Sequence, residues 1–218
     1  MLKFLRSLLI TGLLSLFYIS QAFASDTLVV FFSRTGNQFN GNITEGNTAI
    51  VAKIIAKELN ADTFEIKPKE DNYNLQYRAL TELARDEKDK GLRPEYIGKI
   101  DNLDSYSTIF IGSPVWWGDF PMIMYTFLEH NDLNGKTLIP FATHEGSGLA
   151  GFDLRLKDLF KSANVLPGLA LKGTMVQDDR SFAETEVKNF RLSTNKCGIN
   201  DPLFNLSPPF LSGGIKEF

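Results

Sequence analysis

The chain has few residues of the types that build disulfides, metal centres or nucleic-acid surfaces. Of its 218 residues one is a cysteine, Cys197, and two are histidines. No internal disulfide can therefore form, and the sequence offers no His/Cys metal constellation. The formal net charge is −3 and no long Lys/Arg run occurs, so the sequence does not predict a basic surface that would bind nucleic acid. With 43% hydrophobic residues and 18 Phe, the composition is instead typical of one compact α/β domain.

The first 24 residues are predicted to be a cleavable export signal. Lys3 and Arg6 precede an apolar run, Leu8 to Ile19, that is too short for a comfortable membrane span. In Ala22-Phe23-Ala24, the two alanines are small residues at the positions that a signal peptidase recognises. We therefore expect cleavage after Ala24 and a secreted or periplasmic protein. An uncleaved N-terminal anchor is the alternative. Because no twin arginine precedes the apolar run, any cofactor is expected to be acquired after export.

Beyond residue 25, strand patterns alternate with helix patterns, which predicts βαβ units and a largely parallel sheet. The first strand is apolar throughout, as is typical of a strand buried on both faces. The second alternates polar and apolar residues, as is typical of a half-exposed edge strand. These features predict a three-layer α/β/α sandwich with a five-stranded parallel sheet in the order 2-1-3-4-5. The expected strands are 27–32, 62–66, 108–111, 136–142 and 163–173, the last one broken at Pro167-Gly168.

Helices are expected between these strands, where apolar residues recur at helical spacing. The tail after the last helix has no periodicity, and we interpret it as irregular. The predicted organisation is an export signal over 1–24, one domain over 25–192 and a tail over 193–218. The expected helices are 50–59, 75–90, 121–128, 149–160 and 182–190.

The loop after the first strand has the composition of a phosphate-binding loop. Ser33 and Thr35 supply hydroxyl donors, and the glycine that follows permits close backbone approach. A polar insertion over 38–45 delays the next helix, for which Asn47 or Thr48 is the expected N-cap. We expect the neighbouring amides and the Thr48 hydroxyl to be free for an anion. The loop lacks the lysine of a triphosphate loop and a G-x-G-x-x-G pattern, so a monophosphate fits best.

Two more loops follow strands at the same predicted edge of the sheet. Trp116 and Trp117 offer flat apolar surfaces for a planar ring, and we expect one of them to belong to the core. The loop 143–148 contains a Gly-Ser-Gly corner whose N–H groups could bond the oxygens and nitrogens of a flavin. In open α/β sheets, ligands bind outside the carboxyl ends of the strands where the strand order reverses. Together the three loops predict a single site.

The motifs in these loops resemble those of the flavodoxin-like proteins, in particular an exported bacterial branch with a long insertion in its phosphate loop. The resemblance covers about 26–190 and rests on S-R-T-G-N…G-N-T, G-S-P-V-W-W-G-D-F-P and T-H-E-G-S-G. It implies that FMN is the cofactor. The implied cofactor-binding residues are Ser33, Arg34, Thr35, Gly36, Asn37, Asn47 and Thr48 around the phosphate, Pro114, Val115, Trp116, Trp117 and Gly118 on one side of the ring, and Thr143, His144, Glu145, Gly146, Ser147 and Gly148 on the other.

The expected function is electron transfer by an exported FMN protein, with a redox partner protein or a small-molecule acceptor. An NAD(P)H-dependent quinone or azo reductase is one alternative. A non-redox binding module is another, including a phosphoacceptor regulator, although Ser33 and Ser113 stand where such a regulator needs acidic residues. Because Asp119 and Glu145 are expected near the ring and no Lys is, we predict a lowered potential for the second reduction step.

Overall fold

The computed structural model describes residues 25–39 and 41–196. The predicted export signal and Cys197, together with all but the first few residues of the predicted tail, lie outside the described residues. The strands are β1 Thr27–Phe31, β2 Gly36–Gln38, β3 Gly41–Ile43, β4 Asp62–Glu65, β5 Lys67–Pro68, β6 Tyr96–Ile97, β7 Thr108–Pro114, β8 Thr137–His144, β9 Asn164–Val165 and β10 Leu169–Lys172. The helices are α1 Asn47–Leu59, α2 Tyr77–Asp89, α3 Met122–His130, α4 Phe152–Leu159, α5 Gly173–Asp178 and α6 Arg180–Lys196, with a 3₁₀ turn at Leu103–Ser105.

The central sheet has the predicted order. Its strands run β10-β8-β7-β1-β4, and every pairing among them is parallel. The fifth predicted strand is split into β9 and β10, which both pair with β8 on either side of the Pro167-Gly168 break. The edge strand β4 has mostly exposed residues, whereas β1 is buried along its whole length. The three-layer prediction and the strand order are therefore confirmed.

Alternate residues of the strands pack against helices on opposite faces of the sheet. Leu28 and Val30 belong to a core formed with α2, α3 and α4. Val29 and Phe31 belong to a second core formed with α1, α5 and α6. Because β1 contributes to both cores, it lies in the middle layer, and the loop that follows it emerges between the two helical layers.

The structure differs from the predictions in the connections. The polar insertion folds into an antiparallel hairpin of β2 and β3. A second antiparallel pair joins β5, which precedes α2 in the sequence, with β6, which follows it. The short helix α5 directly follows β10, and α6 continues to Lys196, past the predicted boundary at 192. Helix α4 begins at Phe152, three residues after its expected start.

Within the described ranges, no helix combines the length and apolar character needed to cross a membrane. The same residues contain no group of three or more His, Cys, Asp or Glu side chains able to hold a metal ion.

Candidate functional site

The loops after β1, β7 and β8 meet at one edge of the sheet and surround a cavity of about 760 Å³. This volume lies within the range of small-molecule and cofactor pockets. Of the predicted residues, those that line the cavity are Asn47, Pro114, Val115, Trp116, Trp117, Gly118, Thr143, His144, Glu145, Gly146 and Ser147. Those that do not line it are Ser33, Arg34, Thr35, Gly36, Asn37, Thr48 and Gly148.

Half of the wall comes from residues that the loop motifs did not indicate. The hairpin contributes Gln38, Phe39 and Ile43, helix α2 contributes Tyr77, Leu80, Thr81 and Ala84, and α5 contributes Gly173, Thr174, Gln177 and Asp178. The α5 residues could have been found, because Gly173 and Thr174 follow a strand that ends at the same edge. The hairpin and α2 residues carry no pattern that would have indicated them.

The first loop lies directly on the N-terminus of α1, but the predicted cap was wrong. The N-cap residue is Gly46, so Asn47 is the first helical residue, and no side chain of α1 caps the helix. Instead, the Ser33 hydroxyl accepts a hydrogen bond from the Ala49 N–H at 3.0 Å. A Cβ on residue 46 would lie 2.2 Å from the Ser33 Oγ and 2.5 Å from the Arg34 carbonyl oxygen. Only glycine therefore allows this close approach of the loop to the helix.

Arg34 and Asn37 hold the loop in place and do not line the cavity. The guanidinium of Arg34 donates to the carbonyl of Tyr73 at 2.7 Å and also to the carbonyls of Asn37 and Leu75. Burial lowers the pKa of Arg34, although Asp71 opposes this shift. Asn37 Oδ1 accepts a hydrogen bond from the N–H of the first α2 residue at 2.8 Å. Arg34 therefore has a positioning role, since three of its donors are bonded to carbonyls, while the phosphate contact implied for it stays a prediction.

Thr48 ties the first loop to the third. Its hydroxyl lies 2.7 Å from the hydroxyl of Thr143, and both side chains are buried. The Thr48 hydroxyl thus has a protein partner, and its predicted contact with an anion stays a prediction. The hydrogen bond instead fixes the end of β8 against the first turn of α1.

Asn47 carries a buried oxygen that has no partner among the described residues. Its Oδ1 is enclosed yet makes no hydrogen bond, and the side chain lines the cavity. A Cβ at Gly173 would lie 2.3 Å from the Asn47 Nδ2, so Gly173 makes room for this amide. An unsatisfied buried acceptor is costly unless a donor reaches it. We therefore expect a ligand hydroxyl or N–H at this point.

The two tryptophans of the second loop have different environments, as predicted. Trp116 packs against the core, with its ring 5.5 Å from Phe32 and 5.3 Å from Tyr73. Trp117 is 49% exposed and has a left-handed backbone conformation with a φ of 51°. Its indole N–H donates to the Thr81 carbonyl at 2.8 Å, and this contact fixes the ring at the mouth of the cavity.

In the third loop, the side chains of His144 and Glu145 organise the backbone. His144 Nδ1 accepts a hydrogen bond from the Gly146 N–H at 3.0 Å, and burial lowers the pKa of His144. This acceptor role requires an unprotonated Nδ1. Glu145 accepts from the N–H of Thr174 at 2.9 Å and from its hydroxyl at 2.5 Å. The third loop is thereby joined to α5.

Comparison with known proteins identifies the family. The flavodoxin family model matches residues 19–186. The chain belongs to the flavodoxin family. Two proteins classed as flavoproteins are each 30% identical: one from Bacteroides uniformis (TM-score 0.60, covering 76% of this chain and 99% of that one) and one from Bacteroides eggerthii (TM-score 0.52, 70% and 93%). A flavoprotein from Lactobacillus acidophilus, solved in complex with FMN, shares the fold at 22% identity (TM-score 0.55, 71% and 98%). No curated protein gives a significant match.

One expectation about the charges in this flavodoxin was wrong. Asp119 does not line the cavity, and its carboxylate is compensated by Lys88 at 3.6 Å and Arg155 at 3.3 Å. The Tyr125 hydroxyl also donates to it at 2.8 Å. Asp119 therefore adds no uncompensated negative charge near the ring, and Glu145 is left as the acidic residue of the predicted loops that faces the cavity.

Proposed function

We propose that this flavodoxin is an FMN-dependent electron carrier that works outside the cytoplasm. FMN is its cofactor. The observation that carries the proposal is the single cavity at the ends of β1, β7 and β8, which places a helix N-terminus, an unsatisfied buried acceptor and two indole rings around one volume.

The residues present fit FMN without a basic side chain. No Lys or Arg is among the cavity-lining residues of the described chain, so the phosphate would be held by neutral donors. The first N–H groups of α1, which begins at the cavity-lining Asn47, would supply these donors, helped by the helix dipole. The orphaned Asn47 Oδ1 would accept from a hydroxyl of the ribityl chain.

The remaining contacts would hold the ring system. The segment 114–117 would lie along one side of it, and the backbone amides of 143–147 would meet its polar edge. Bound FMN supplies reversible acceptance and donation of electrons, while the protein sets the potentials at which this occurs. The lining side chains would bind and orient the ring.

The cavity favours a carrier over a nicotinamide-dependent reductase. A nicotinamide dinucleotide carries a diphosphate, whereas the charged residues of the lining are Glu145 and Asp178. The phosphate of FMN has the N-terminus of α1 to hold it, whereas the lining offers no cation for the additional diphosphate of a nicotinamide dinucleotide, and the two carboxylates oppose it.

Anaerobic addition of NADPH to the FMN-loaded protein tests this choice, with dithionite as the positive control. We expect dithionite to bleach the flavin absorption and NADPH to leave it oxidised. Rapid bleaching by NADPH would instead establish the reductase.

Export of the protein is supported by the N-terminal signal pattern and belongs to the same proposal. Its partner would then be a redox protein or a small electron acceptor in the same compartment. Chemical sequencing of the N-terminus of the secreted protein, expected to begin at Ser25, tests the processing site.

A further inference from the structure

One side chain in the connection between β5 and α2 is buried although the residues around it are exposed. Tyr73 is 3% exposed, whereas every other residue of 69–76 is exposed. The Tyr73 side chain does not line the cavity at the strand ends. It therefore anchors an exposed connection to the protein interior behind the site.

Tyr73 contacts the first two loops of the site from this buried position. Its carbonyl accepts a hydrogen bond from Arg34 Nε at 2.7 Å. Its ring lies 5.3 Å from the ring of Trp116, edge to face, and Trp116 lines the cavity. The Tyr73 ring also lies 5.6 Å from that of Phe32, the residue directly before the first loop. The position of Tyr73 is thus linked to both loops.

A buried carboxyl group holds the other end of the Tyr73 side chain. The buried residues of α2 are Leu80, Ala84 and Glu87, and the first two line the cavity. Glu87 is 5% exposed and accepts a hydrogen bond from the Tyr73 hydroxyl at 3.1 Å. Burying a carboxyl group costs free energy unless hydrogen bonds offset the cost. Packing alone therefore does not explain an acidic residue on this face of α2.

These contacts give each part of Tyr73 a fixed partner. The hydroxyl is held by α2, the carbonyl by the first loop, and the ring by the second loop. Because edge-to-face aromatic pairs have a preferred geometry, a rotation of the Tyr73 ring would shift the ring of Trp116. A site whose groups are already in place loses less conformational freedom on binding and so binds more tightly.

We propose that Tyr73 is a positioning residue of the FMN site, held by Glu87, and that it sets the orientation of Trp116 toward the flavin ring. The proposal deepens the proposed function and rests on it, because Trp116 meets a flavin only if FMN fills the cavity. Tyr73 acts through Trp116 without touching the cofactor. The hydrogen bond between its hydroxyl and Glu87 carries the effect, so a phenylalanine of the same ring size does not replace it.

The test uses the FMN-loaded protein and two measurements. Flavin fluorescence titration gives the Kd of FMN, and visible circular dichroism of the bound flavin reports the asymmetric surroundings of its ring. Tyr73→Phe keeps the aromatic ring and removes the hydroxyl. We expect the Kd to rise about 2- to 10-fold, as for the loss of one net hydrogen bond, and the circular dichroism of the flavin to change.

Two variants of Glu87 test whether the hydrogen bond carries the effect. Glu87→Leu removes the acceptor and should reproduce both changes seen in Tyr73→Phe. Glu87→Gln keeps a carbonyl oxygen that can accept from the tyrosine hydroxyl, so both changes should be smaller than in Glu87→Leu.

Tyr106→Phe is the matched control. The Tyr106 hydroxyl also donates to a carboxylate, that of Asp62 at 2.9 Å. Tyr106 precedes the start of β7, at the opposite end of that strand from the cavity, and does not line it. Urea unfolding gives the stability of each variant. We expect Tyr106→Phe to keep the wild-type Kd and flavin circular dichroism whatever stability it loses.

Wild-type Kd and circular dichroism in either Tyr73→Phe or Glu87→Leu would overturn the proposal, and so would equal changes in Tyr106→Phe. These outcomes leave FMN binding by the wild-type protein intact. Failure of the wild-type protein to bind FMN would instead contradict the proposed function, and with it the positioning role.

Discussion

At the scale of single residues, the role of a side chain in this site depends more on how closely neighbouring segments approach it than on its residue type. Asn47 and Thr48 are of the types that usually cap helices, yet the cap is Gly46 because the first loop leaves no room for a Cβ. Arg34 likewise looked like an anion ligand, but it binds carbonyls of residues about 40 positions away along the chain. Long-range contacts of this kind leave no local pattern in the sequence.

Replacing Gly46 by Ala should weaken FMN binding at least about tenfold and destabilise the protein by about 1–3 kcal/mol, as overpacking does. The added Cβ would meet the Ser33 Oγ at 2.2 Å and push the loop from the helix. Flavin fluorescence titration and urea unfolding measure the two effects. Adding Ser33→Ala should not restore binding, because the Arg34 carbonyl would still lie 2.5 Å away. Wild-type FMN affinity in the single variant would contradict this account.

Glu145→Gln should raise the potential of the second reduction step by removing a negative charge from the cavity wall. Glu145 is exposed, so the effect should be modest. Exposed charge interactions are worth about 0.2–1 kcal/mol, or about 10–40 mV for one electron. Spectroelectrochemical titration measures the shift, with Asp158→Asn as a control outside the cavity. Equal potentials for Glu145→Gln and the wild type would show that this carboxylate does not tune the flavin.

Glu87 should make stability depend on pH. This side chain is buried, and the Tyr73 hydroxyl donates to it at 3.1 Å. Burial raises the pKa of Glu87 above its usual 4.5, although the Tyr73 hydrogen bond opposes the shift. The folded state therefore holds this proton more tightly than the unfolded state, and the free energy of unfolding falls as pH rises from 4.5 through the raised pKa.

Glu87→Gln should remove this part of the pH dependence, because glutamine keeps an acceptor for Tyr73 and has no proton to lose. Urea unfolding of both proteins between pH 4 and pH 8 provides the comparison. Parallel profiles would show that the Glu87 carboxyl does not titrate differently on folding.

At the scale of elements, the regular strands and helices were predictable and the connections were not. The five strands and their order follow from apolar runs and one alternating edge. The β2–β3 hairpin was missed because 36–43 is polar and has no alternating apolar residues. Helix α5 was missed because six residues starting with glycine are too few to show a helical period. These two elements supply much of the unexpected cavity wall.

Gly112→Ala should disturb the packing of β7 against β8. A Cβ there would lie 2.0–2.3 Å from three atoms of the Phe141 ring, its partner in register. We expect a loss of about 1–3 kcal/mol, measured by urea unfolding. Gly146→Ala is the matched control, since a Cβ at that position meets nothing within 4 Å. Partial recovery of stability in Gly112→Ala/Phe141→Leu would attribute the loss to the ring, and no recovery would exclude it.

At the scale of the whole molecule, the strand-end rule indicates the edge of the sheet where the cavity lies, although it does not define the cavity walls. Three loops that lie far apart in sequence meet because parallel strands end at one edge and the order reverses between β1 and β7. Most residues of the second and third loops line the cavity, whereas Ser33 and Gly46 of the first loop contact the start of α1. The hairpin insertion adds Gln38, Phe39 and Ile43 to the cavity wall.

The absorption spectrum of the purified protein tests the central claim, that the cavity binds FMN, most directly. The account predicts a yellow protein with flavin bands and about one FMN per chain, either as recovered or after FMN is added. A colourless protein that fails to take up added FMN would contradict it.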